Sequence, residues 1–96
     1  EEFGLILRDV KPADAFVLMD ELRQRISDRE LPYGDARIRV TASFGIAHWP
    51  DHGREAESLF RVADRWLYSG KRAGRNCVVG AGHNPRQLEI LTVEAS

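Results

Sequence analysis

Residues 63–76 read ADRWLYSGKRAGRN, and on this stretch turns what kind of molecule the chain is. With the residues before it, Leu59, Val62, Ala63, Trp66 and Leu67 recur at helical spacing. The segment 55–74 is therefore expected to be an amphipathic helix with that stripe buried. Lys71 and Arg72 fall in its last turn, where cations complement the helix dipole, and Gly74 stands where a helix ends. Lys71 and Arg75 would stack on one side if the helix continued. Such a pair can hold a polyphosphate, the lysine as a compact charge and the arginine as a fork for two oxygens. On spacing alone the plainer reading has the better claim: solvated cations that offset the macrodipole.

Outward from this helix the pattern is regular. After it, NCVV (76–79) is a short apolar strand, and the tail from Gly80 to Ser96 holds Pro85 and a weakly patterned LEILTVE. Before it, ARIRVTASFGIAHW (36–49) alternates cleanly. Ile38, Val40, Ala42, Phe44 and Ile46 point one way, Arg37, Arg39, Thr41 and Ser43 the other, as in one strand. PDHGRE breaks it, and LPYGDA, with Pro32 and Gly34, is a turn. KPADAFVLMDELRQRISDRE (11–30) is a helix with Pro12 in its first turn and a stripe of Ala15, Leu18, Met19, Leu22 and Ile26. FGLIL (3–7) alternates as a short strand, with Phe3, Leu5 and Leu7 on one face. The order is β-α-β-α-β, which periodicity alone would file as a parallel α/β unit.

A chain of 96 residues has room for one small domain. A formal net charge of −1 removes any bulk pull toward nucleic acid or an anionic membrane, so anion binding must come from a few placed cations. The single Cys77 cannot form an intrachain disulfide and sits in an apolar strand, as a small core residue in a reducing setting would. No apolar run reaches the length of a membrane span and no signal peptide leads the chain, so the expectation is a soluble, cytoplasmic protein. His48, Asp51 and His52 in HWPDHG have nothing to fix a metal geometry. The RxxD matches at Arg25–Asp28 and Arg61–Asp64 lie within helices at chance level. Glu1 and Glu2 open the chain. Adjacent carboxylates at a strand start can hold Mg²⁺ together with substrate phosphates, although a frayed, solvated terminus is the plainer account.

Taken in order, these segments resemble a known family. EEF before an apolar strand, then VTASFGIA, WPDHG and ADRWLYSGKRAGRN, is similar to the second half of a GGDEF domain, the catalytic domain of diguanylate cyclases. The likeness runs from Glu1 to about Val79. It implies an α+β palm-like fold of the ferredoxin-like, nucleotide-cyclase type. The N-terminal half of the domain would lie upstream, with residues 1–80 as its C-terminal portion and 81–96 as a tail. Two glycines would precede Glu1 at the tip of a β-hairpin.

The resemblance further implies an enzyme that joins two GTP into cyclic di-GMP with release of pyrophosphate, using Mg²⁺ (or Mn²⁺). Two domains would face each other as a homodimer, under a sensory or regulatory domain upstream. Glu1 and Glu2 match the acidic motif positions, Glu1 as metal ligand and both near the catalytic centre. Lys71 and Arg75 match the clamp on the β- and γ-phosphates, and Ser43, Gly45, Asp64 and Asn76 match positions of structural support. Gly70 and Trp66 replace usual alanines. The metal-binding aspartate opposite Glu1 and the guanine-contacting residues would be upstream, so the 96 residues alone are expected to be inactive. Their strands would have unpaired edges, and the piece is expected to rearrange or to swap strands with a second copy. The alternative is a degenerate module that binds GTP or dimerises for regulation without turnover.

Overall fold

The computed structural model describes residues 2–80 and, for the backbone, residues 88–95. Its centre is β4 (Ala42–Trp49), a strand in which all but the last residue are buried. A strand covered on both faces favours apolar or small residues, and ASFGIA supplies them, with His48 a buried polar residue at the end. Ala42, Phe44 and Ile46 face α1 (Pro12–Asp28), forming a core with Met19 that Leu7, Phe16, Ile26 and Val78 close. Ala47, on the other face, packs with Leu59 and Ala63 of α2 (Ala56–Arg72), under Phe60 and Val62. One helix lies on each face of the sheet.

The face under α2 is shaped by small residues. A Cβ at Gly45 would overlap the carbonyl oxygen of Ala63 and stand 2.5 Å from the nitrogen of Leu67. The helix backbone therefore rests on the strand itself. At Gly70 an added Cβ would come within 3.0 Å of the Cys77 sulfur and 3.1 Å of Val79. Gly70 thus makes room for the side chains of the following strand, which accounts for its presence where the resemblance leads one to expect alanine.

The sheet runs β1-β6-β4-β5, with β1 at Glu2–Arg8, β5 at Val78–Gly80 and β6 at Leu88–Ala95. Strand β5 is parallel to β4, whereas β6 is antiparallel to both β4 and β1. Consequently β1 and β4 are parallel to each other and two places apart, joined through α1, the split β-α-β arrangement. That arrangement needs an antiparallel strand in the middle. Here the segment beyond the last recognisable motif supplies it. Among the described residues β6 thus gives both β1 and β4 a strand neighbour from within the chain. The outer edge of β1 has no strand beside it among the described residues.

Three readings need correction. The strand expected over 36–49 is two: β3 (Ala36–Ile38) and β4, with residues 39–41 between. The expected turn LPYGDA contributes β2 (Leu31–Tyr33), which pairs with β3 as a separate hairpin around Gly34–Asp35. Glu30 at its base sits 3.6 Å from Arg37 and 3.4 Å from Arg39, so the arginines read as one strand face hold the hairpin root instead. Finally, only part of the α1 stripe is buried. Ala15 and Met19 are, but Leu18 is 47% and Leu22 37% exposed. The helix lies chiefly over β4 and the short β5, and the flank carrying Leu18 and Leu22 stays exposed.

Candidate functional site

Helix α2 leaves the far end of β4 and returns along it, so its C-terminus arrives beside the strand's first residues. The exit is tightly bonded. The N–H of Ala73 donates to the Ser69 carbonyl (2.9 Å), that of Gly74 to Lys71 (3.3 Å) and that of Arg75 to Gly70 (3.0 Å). Arg75 and Asn76 then take left-handed backbone conformations, with φ of 65° and 50°. For residues with a side chain this costs about 1 kcal/mol each and persists only where the surroundings enforce it.

The enforcing contacts are visible. The Asn76 N–H donates to the hydroxyl of Ser43 (3.0 Å), a side chain with no exposed surface. From α1, the Arg23 guanidinium donates to Asn76 Oδ1 (3.0 Å) and to its carbonyl oxygen (3.4 Å). The same guanidinium is braced by Nε donating to Asp20 at 2.8 Å. Asn76 is thereby held from the sheet below and from the opposite helix. Lys71, half-buried, and Arg75, exposed, flank this anchored exit.

Glu2 begins β1 and is exposed. The register puts it opposite Glu94, and Glu94 in turn opposite Ser43, so Glu2 and Ser43 share one row across the sheet. Two strand spacings put their backbones about 10 Å apart. Glu2 also lies on the α2 side. Gly4, on the same face of β1, is so close to α2 that a Cβ would reach 2.9 Å from the Phe60 ring. Glu2 and Ser43, which anchors the exit of α2, therefore share one row of the sheet, two strands apart on its α2 side. Glu1 lies outside the described residues. Gly45 sits deeper, under the middle of α2, and Asp64 is exposed midway along that helix. Sequence reasoning missed Arg23; its only signal was a polar residue on the α1 line Ala15–Met19–Ile26.

At the opposite end of β4, the His48 N–H donates to His52 Nδ1 (2.8 Å), and the two rings are 5.2 Å apart. No cluster of three His, Cys, Asp or Glu residues suited to a metal occurs among the described residues. Burial, then the positive charge available to His48, pull the His52 imidazole below its ordinary value of 6.5, against a smaller opposing pull from Asp51. The folded state thus prefers neutral His52. Its contribution to stability is complete above pH 6.5 and is lost as pH falls through the lowered folded value. Thermal melts between pH 7.5 and 5 should show the midpoint falling with acid, and falling less in His52→Asn, whose side chain has no proton to take up.

The chain is an α+β, palm-like portion of a domain, and it belongs to the GGDEF family: the family model for the diguanylate cyclase GGDEF domain matches residues 1–77. It is 40% identical over 95 residues to a bifunctional diguanylate cyclase/cyclic di-GMP phosphodiesterase, MucR, of Pseudomonas aeruginosa, covering 95% of this chain and 13% of that protein. To the response regulator PleD of Caulobacter vibrioides it is 34% identical over 82 residues, 83% of this chain and 18% of the relative. Diguanylate cyclase A of Treponema denticola is 29% identical over 84 residues, 88% of this chain and 23% of the relative. The chain thus spans under a quarter of the length of these relatives. No solved structure gives a significant match. Among the described residues no helix is long and apolar enough to cross a membrane.

Diguanylate cyclases of this family depend on a metal. The donor chemistry present fits a hard divalent cation in part: Glu2 offers an exposed carboxylate, and such an ion is commonly held by one or two carboxylates plus substrate phosphates. The rest of such a shell would come from the substrate phosphates and from further donors.

Proposed function

We propose that this chain is the C-terminal part of a diguanylate cyclase domain, cytoplasmic in setting, which as a complete domain condenses two GTP into cyclic di-GMP and releases two pyrophosphates. What supports the reading is the row that Glu2 shares with Ser43, the residue that anchors the helix exit bearing Lys71 and Arg75. Lys71 and Arg75 bind the β- and γ-phosphates, which also become the leaving pyrophosphate, and hold the nucleotide so that its α-phosphate is presented to an incoming hydroxyl. Glu1 supplies carboxylate oxygen for Mg²⁺ (or Mn²⁺), with Glu2 beside it at the catalytic centre; the ion when bound neutralises charge on the phosphates and favours the attacking hydroxyl. Ser43, Gly45 and Asn76 act as support, as does Asp64.

Each product needs two such bonds, the 3′-hydroxyl of either nucleotide attacking the other. Two domains therefore work face to face as a homodimer, under the control of a domain upstream. The 96 residues alone do not turn over GTP, because the opposing metal-binding aspartate and the guanine contacts come from upstream. Residues 1–80 are the domain portion proper and 81–96 a tail outside the family motifs. The test is to supply the upstream half and incubate the complete domain with GTP and Mg²⁺. Cyclic di-GMP and pyrophosphate should form in a 1:2 ratio. A well-folded complete domain that binds GTP without forming product would instead make this a regulatory module.

A further inference from the structure

We infer that Arg23, on α1, is a positioning residue for the phosphate clamp: it locks the left-handed exit of α2 and so sets where Arg75 points. The inference rests on the function proposed above for Arg75, but its observations are separate. Arg23 lies 53 positions from Asn76 in sequence, on the helix across the sheet from α2, and reaches both the side-chain and main-chain oxygens of Asn76. Its side chain is only 17% exposed, and its orientation is fixed by Asp20 at 2.8 Å. A planar guanidinium can serve a carboxylate through one nitrogen and two oxygens of one residue through another, which a lysine ammonium on a flexible stem cannot do in one fixed geometry.

Asn76 is the residue through which this acts. Its N–H is committed to Ser43 and its two oxygens to Arg23, so its backbone is held at both ends of the peptide. Arg75, the residue before it, is exposed and has no glycine's tolerance for a φ of 65°. Without the hold on Asn76, the exit relaxes toward ordinary right-handed or extended backbone. The Cα–Cβ direction of Arg75 then turns with it. A fork meant for two phosphate oxygens is the kind of group most affected by such a rotation. Arg23 touches no substrate in this scheme. Its influence passes wholly through the backbone of residues 75 and 76.

Two measurements test this. In the 96-residue chain, Arg23→Ala should speed exchange of the Arg75 and Asn76 amide hydrogens about tenfold or more, while the β4 amides of Phe44 and Ile46 keep their rates. Equal acceleration everywhere, or none at the exit, overturns the inference. In the complete domain, Arg23→Ala should raise KM for GTP about tenfold and change kcat less than about twofold, with Arg23→Lys recovering only part of the loss. Placed on Arg75→Ala, the same substitution should add less than about twofold, since its route is already gone. Full additivity overturns the inference. A wild-type complete domain that fails to bind GTP would defeat the proposed function, and the exchange rates at Arg75 and Asn76 would then decide the anchoring by themselves.

Discussion

Gly45→Ala is expected to cost the chain more than about 3 kcal/mol, beyond the usual range for one added core methyl group. The reason is that the methyl would meet backbone: it would overlap the Ala63 carbonyl oxygen and crowd the Leu67 nitrogen. A flexible neighbour could swing aside, but a helix main chain must move as a unit, lifting Leu59, Ala63 and Leu67 off β4 together. A domain of this size has on the order of 5–14 kcal/mol of stability in all. Urea unfolding followed by circular dichroism would measure the loss. Gly34→Ala is the control, since nothing stands within 4 Å of a Cβ there and only its φ of 60° resists, at about 1 kcal/mol. A Gly45→Ala chain as stable as its parent would mean that α2 does not rest on the strand.

Removing both clamp cations, Lys71→Ala with Arg75→Ala, should weaken GTP binding by the complete domain at least about a hundredfold. A hydrogen bond to a charged group contributes roughly 1.5–3 kcal/mol, and two such contacts give about 3–6 kcal/mol, or factors of 10² to 10⁴. The binding of GMP, which lacks the β- and γ-phosphates, should hardly change. Titration calorimetry with Mg²⁺ and each nucleotide would give both constants. Lysine in place of Arg75 should recover only part of the affinity, because a point charge cannot serve two oxygens in one plane. Stability should change little, Arg75 being exposed and Lys71 only half-buried. Equal losses for GTP and GMP would take the pair away from the outer phosphates.

The exit of α2 that carries these cations was only half legible beforehand. The helix carrying Lys71, its end near Gly74 and the buried stripe Leu59–Ala63–Leu67 follow from local spacing, and the structure has them there. That Asn76 is gripped by Ser43 and Arg23 does not, because both partners are distant in sequence and hydroxyl or guanidinium groups carry no periodic signal. The exposed Leu18 and Leu22 make the same point from the other direction. Helical periodicity says which residues share a face, but how wide a sheet lies under that face is settled elsewhere in the chain.

By itself, then, the sequence determined the two helices, a strand ending at Trp49 though not where it begins or that both its faces are covered, and the family to which the acidic and basic motifs belong. These are properties of residues a few positions apart. Only the tertiary structure decided that Leu88–Ala95 runs between Glu2–Arg8 and Ala42–Trp49, so that Glu2 and Ser43 fall in one row. Strand neighbours are chosen by backbone hydrogen bonds between remote segments, and every residue offers the same N–H and C=O to that choice whatever its side chain.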